Sequence, residues 1–218
     1  MTEYIYPSET DTLSYTWKVY YENGGLKHET RVVSDKFIGE KKTFFENGNL
    51  KRIEKLNQPT PLDATKYDCF VTNFRSDGTK VSEYQYVNDK INGLTIDYDS
   101  TGRKARTAVY IDGKINGKET LYFPNGNIKS IAFVKNDTLR GFDIDFKENG
   151  DTLKWFHNGE YGLNGMFYKK WLDNGLVLTG NYGDTKRSYV VWNWWDKTNK
   201  KVKSKIVKSK NEEYVTPE

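Results

Sequence analysis

The residues best placed to do chemistry are the aspartates of two phrases, LTIDYD and FDIDF. Asp97 and Asp145 each stand five residues before a glycine of a recurring pattern, with Asp99 and Asp143 two residues away from them. Two carboxylates across a groove could divide acid and base work, as in sugar hydrolysis. The same residues also suit a solvated acidic face that keeps sheets from stacking. His28 and His157 are the only histidines. They fall in distant parts of the pattern and are expected to be ordinary sheet or surface residues rather than a base or ligand pair. Cys69 is the single cysteine, which excludes an internal disulfide framework and any cysteine-built zinc site. Within DCFV it is expected to be a buried, inert thiol. No glycine-rich phosphate loop and no metal-ligand spacing occur, so no catalytic residue, cofactor or metal is expected.

A second cluster is aromatic. The phrase VVWNWWDK brings Trp192, Trp194 and Trp195 together, and Tyr168 and Trp171 precede it. Alternation along a strand puts Trp192 and Trp194 on one face and Trp195 on the other. Two readings stand: a cap, in which the tail folds over the last hairpin, or an aromatic hot spot for a partner.

The elements that would position these residues come from a repeat. Glycines fall at 24, 48, 78, 102, 126, 150 and 175, at intervals of 24, 30, 24, 24, 24 and 25. A second series at Gly39, Gly93, Gly117, Gly141 and Gly165 runs nine or ten residues ahead of members of the first. The surplus in the 30-residue interval fits an inserted loop near 57–66, around NQPTPLD. An aromatic stands four residues before each glycine of the first series: Tyr20, Phe44, Phe74, Tyr98, Tyr122, Phe146 and Trp171. Counting on one period reaches Asn199, a degenerate eighth unit.

Dipeptides such as Asn47-Gly48 are tight-turn signals, both residues tolerating positive φ, so each unit is a β-hairpin. Leu94, Ile96 and Tyr98, or Phe142, Ile144 and Phe146, would form the core stripe before the turn, continued by Ile128, Ala132 and Val134 after it. The second glycine series would mark the connections between hairpins. The expected fold is all-β: an elongated single-layer antiparallel meander of about seven to eight stacked hairpins of period 24. Its array spans 17–200, with an N-terminal extension at 1–16 and a basic C-terminal tail at 201–218.

Composition agrees with thin sheets. The hydrophobic fraction is 36%, of which aromatics supply 15% of the chain, rings that bury large areas while tolerating a wet edge. No apolar run is long enough for a membrane span and no leader is evident, so the chain as given is expected to be soluble, with localisation open. The net charge is +4. The seven lysines from Lys197 to Lys210 outweigh it, and subtracting their +7 leaves about −3 on the rest. Lysines alternating with Val, Ser and Ile suit a protected sheet edge, or contact with acidic lipid, nucleic acid or protein.

A glycine, four residues, paired aromatics and then N-G-x-[LI]-K, as in FFENGNLK and YFPNGNIK, resembles the MORN repeat, and more closely the variant of the bacterial YwqK-type antitoxin or immunity family. The resemblance covers roughly residues 17–200. It implies a non-catalytic repeat scaffold that binds another protein, foremost a toxin neutralised by occlusion. The contacts expected from the residues themselves lie on the outer face of the later repeats: Asp97, Asp99, Asp143, Asp145, Trp171, Trp192, Trp194 and Trp195. The wider family implies a membrane-apposed or envelope scaffold as the alternative. A carbohydrate-binding sheet is the third reading.

Overall fold

The computed structural model describes residues 1–7, 13–158, 166–182 and 189–208. They contain 18 strands, paired antiparallel, and no helix. The chain divides into two compact units, Met1–Ile115 and Asn116–Glu218. The first holds β1 (Thr2–Ile5), β2 (Ser14–Tyr20), β3 (Leu26–Val33), β4 (Lys36–Phe44), β5 (Leu50–Leu56), β6 (Thr60–Pro61), β7 (Cys69–Phe74), β8 (Lys80–Val87), β9 (Lys90–Tyr98) and β10 (Lys104–Ile111). The second holds most of β11 (Lys114–Tyr122), then β12 (Ile128–Lys135), β13 (Thr138–Phe146), β14 (Thr152–Asn158), β15 (Met166–Trp171), β16 (Val177–Tyr182), β17 (Tyr189–Trp195) and β18 (Lys201–Lys208). Each unit is a meander of hairpins in which a strand pairs with its sequence neighbours. The insertion interrupts this order once: β5 pairs with β7, and β6 sits beside the start of β4, where Phe37 faces Thr60.

The repeated phrase has a local physical account. At FFENGNLK the Gly48 amide donates to the Phe45 carbonyl (2.9 Å) and the Phe45 amide donates to the Asn49 carbonyl (2.8 Å). Of the Asn-Gly pair only Gly48 has a positive φ, +83°. This is a type I turn closed by a glycine bulge, not the mirror-image turn expected from the dipeptide. Asn47 serves through its side chain, which accepts from the Asn49 amide (3.1 Å). The second aromatic of each pair carries the lysine that ends the phrase: Lys27 lies 5.4 Å from the Tyr21 ring centre, Lys51 5.5 Å from Phe45 and Lys129 6.0 Å from Phe123. Turns also clasp their neighbours, since Asn47 and Asn49 both donate to the Ser76 carbonyl (3.0 and 2.7 Å). The eighth unit forms the same turn, with Asn199 at φ +61° in the glycine position.

Two-residue turns with both central φ positive occur at the opposite ends of the strands, at Ser34-Asp35, Asn88-Asp89, Asp112-Gly113 and Asn136-Asp137. These are the connections between repeats. The second glycine series therefore does not mark them; Gly39, Gly93, Gly117 and Gly141 lie inside β4, β9, β11 and β13 with φ of +70°, +84°, +143° and +90°. At Gly141 the pairing steps two residues on β12, from Ala132 to Val134, against four on β13, from Asp143 to Leu139. The glycine supplies the left-handed backbone of that bulge. Gly165 lies outside the described residues.

The core stripe is also corrected. Leu94 is 54% exposed, whereas its neighbour Thr95 is 5% and Ala108, opposite Thr95, is 1% exposed. The expected stripe also failed to stay on one face. Leu121 faces Ser130 but Tyr122 faces Ile128, so one extra residue after the turn sends Ala132 and Val134 to the face opposite Ile128. The repeat aromatics themselves are half-buried. In the first unit the buried cluster is Val32, Phe37, Leu56, Cys69 and Val71, with Trp17, Tyr67 and Tyr84 packed against it. In the second it is Tyr168, Leu178, Val190, Trp192 and Trp194.

Candidate functional site

The four aspartates lie in two places, Asp97 and Asp99 in the first unit and Asp143 and Asp145 in the second. Asp97 accepts from Arg106 across the β9–β10 pair (3.0 Å). Asp99 lies beyond the end of β9, in the turn, where its carboxylate accepts from the Thr101 amide (2.8 Å) and hydroxyl (2.6 Å) and the Arg103 amide (3.0 Å). Those bonds hold its pKa down to about 2.

Asp143 and Asp145 point to the same face of β13, where Lys154 serves both, at 4.0 Å from Asp143 and 2.9 Å from Asp145. Burial first, and then the neighbouring Asp145 charge, raise the Asp143 pKa; Glu119 adds to the same push. Lys154 is raised in turn, chiefly by its bond to Asp145. Two aspartates therefore share a face with one lysine bonded to both, a concentration of negative charge that an incoming cation would relieve.

The tryptophans divide as alternation requires. Trp192 has no exposed surface and Trp194 has 7%; both belong to the buried cluster, with Tyr168 edge-on to Trp192 at 5.3 Å. Lys203 of β18 covers the Trp194 ring at 4.8 Å. Trp192 can act on a partner only through the cluster it anchors. Trp171 and Trp195 lie half-buried on the other face, both opposite Val177. Lys169 sits 4.6 Å from the Trp171 ring, and the Trp195 indole donates to Thr179 (2.9 Å).

Cys69 is 1% exposed, and burial pushes its thiol up to about 11. His28 belongs to the first unit, where its Nδ1 lies 3.0 Å from the Thr43 hydroxyl; burial, reinforced by Lys27, lowers its pKa. His157 belongs to the second, packed edge-on to Phe142 at 4.7 Å. No group of metal-binding side chains occurs among the described residues.

A hollow of about 490 Å³ opens on the first unit, lined by Trp17, His28, Phe37, Lys41, Arg52 and Tyr67 among others. Tyr67 comes from the stretch between β6 and β7, directly after the inserted segment, and its hydroxyl donates to Glu54 (2.9 Å). Arg52 donates to the same Glu54 (2.7 Å) and to the Tyr84 hydroxyl (3.0 Å). The one signal of this site in the sequence is the break in the period at 57–66.

The fold and its turns define a β-hairpin repeat protein. Residues 16–31, 38–56 and 115–136 match the family described as MORN repeat variant. No curated protein sequence matches the chain. The match supports a repeat scaffold built from MORN-type hairpins.

Proposed function

We propose that this scaffold binds another protein and neutralises it by occlusion, in the manner of an immunity protein or antitoxin, and performs no chemistry of its own. The observation that carries the reading is the acidic face of the second unit. Asp143 and Asp145 gather against one lysine, and burial with the neighbouring Asp145 charge raises the Asp143 pKa. A basic partner, such as a nuclease-like toxin, would relieve that crowding of charge and draw its binding from it. Trp171 and Trp195, half-buried in the same unit, are the aromatic contacts with surface left to offer. Asp97 and Asp99 complete the proposed contacts, less directly, since both carboxylates already hold bonds within the unit.

The test is capture from the source organism's lysate with the intact chain and with an Asp143→Lys/Asp145→Lys variant. The expected result is one stoichiometric basic partner, lost in the variant, whose toxicity on expression is relieved by coexpression of the intact chain. A partner held equally by both chains, or one that is harmless, would overturn the reading. Capture of anionic lipid instead, abolished by deleting 201–218, would favour the membrane-apposed scaffold, because β18 exposes Lys201, Lys203 and Lys205 beside Val202 and Ile206.

A further inference from the structure

The hollow of the first unit has the parts of a small-molecule site, and the insertion builds it. Its volume of about 490 Å³ falls in the ordinary range for such sites. One wall is a stack, Trp17 on Phe37, with centres 5.9 Å apart and planes within 9° of parallel. Another wall is Tyr67, carried in from between β6 and β7 and fixed by its hydrogen bond to Glu54. The hollow is thus bounded by flat apolar surfaces, which favour a planar ligand.

Charge narrows the class further. Arg52 and Glu54 are bonded to each other at 2.6 Å and cancel. Lys41 is different. Its ammonium lies 4.0 Å from the Phe37 ring centre and 4.2 Å from that of Tyr67, and it makes no hydrogen bond or ion pair among the described residues. Two ring faces attract the cation but supply no acceptor to its three donors. Burial also pulls its pKa below the ordinary lysine range, so a partner with negative charge would stabilise it. A single unpaired cation, with the guanidinium beside it already committed, matches one carboxylate better than a phosphate dianion.

We propose that this hollow binds a small aromatic carboxylate, with its ring against the Trp17–Phe37 wall and its carboxylate on Lys41. The site is separate from the acidic face of the second unit and does not depend on the partner assigned to that face.

The test is isothermal titration of the full chain with phenylacetate and indole-3-acetate, against indole-3-acetamide and phenyl phosphate. At least one of the acids should bind saturably at one site per chain, with the amide about tenfold weaker or more, as the loss of one charge-assisted contact implies, and the phosphate ester weaker than the acid because its second negative charge would enter unpaired. Lys41→Met keeps the apolar stem and should weaken the acid by at least about tenfold while leaving the amide unchanged. Lys55→Met, exposed on β5 and outside the lining of the hollow, should change nothing. Should Lys41→Met fail to fold, amide NMR of the intact chain decides: shifts on adding acid must concentrate in β2–β5 and around residue 67. No saturable binding by either acid, equal binding of acid and amide, an unaffected Lys41→Met chain, or shifts centred elsewhere would each overturn the proposal.

Discussion

Asp99 shows how one side chain can hold a repeat together where the usual asparagine is missing. Most units place Asn or Asp just before the turn glycine; the 99–103 turn has Thr101 there, and Asp99 bonds Thr101 and Arg103 instead. Asp196 does the same for Thr198 and Lys200 in the final unit. Because the folded pKa of Asp99, about 2, lies below its ordinary 3.8, its stabilising effect is fully present above about pH 4 and disappears as pH falls toward 2. Asp99→Ala should therefore reduce the acid sensitivity of unfolding in that window, read as a flatter dependence of the urea midpoint on pH. An unchanged slope would show that the turn bonds do not outlast those of the unfolded chain. At this scale the sequence was a partial guide. It marked Asp99 as an aspartate of interest through its repeat position, but not as a turn cap, because that role depends on which residue stands before the glycine.

At the scale of the hairpin, backbone conformation rather than packing makes the glycine necessary. A Cβ on Gly48 would meet nothing within 4 Å, yet φ is +83°. Gly48→Ala should cost roughly 1 kcal/mol from backbone strain alone, measured by equilibrium denaturation; a neutral substitution would mean that the turn relaxes to another type. Glycine spacing made the strands and turns legible, and Asn199 was found by counting alone. Face assignment was not legible. The extra residue at Ile128–Lys129 reverses the alternation after the turn, so a rule counting by twos carried the stripe to the wrong side. The hollow was hidden for another reason: Lys41 and Tyr67 meet through the insertion, a contact no local periodicity records.

For the molecule as a whole, pairing between successive strands makes stability local. The 201–218 segment contributes β18, which covers β17 and the Trp194 ring. Deleting it should strip hydrogen-exchange protection from β16 and β17 while leaving β2–β9 as slow as before, since repeat arrays lose stability chiefly at the interface removed. Loss of protection in β2–β9 would contradict this. The same pairing order also governs how the chain bears mechanical load. In a meander of hairpins, tension on a free end meets the ladder one hydrogen bond at a time, as a zip is opened, instead of shearing many together. A chain held by its ends would pay out length hairpin by hairpin, and each glycine-bulged turn would be a place where it can halt and close again.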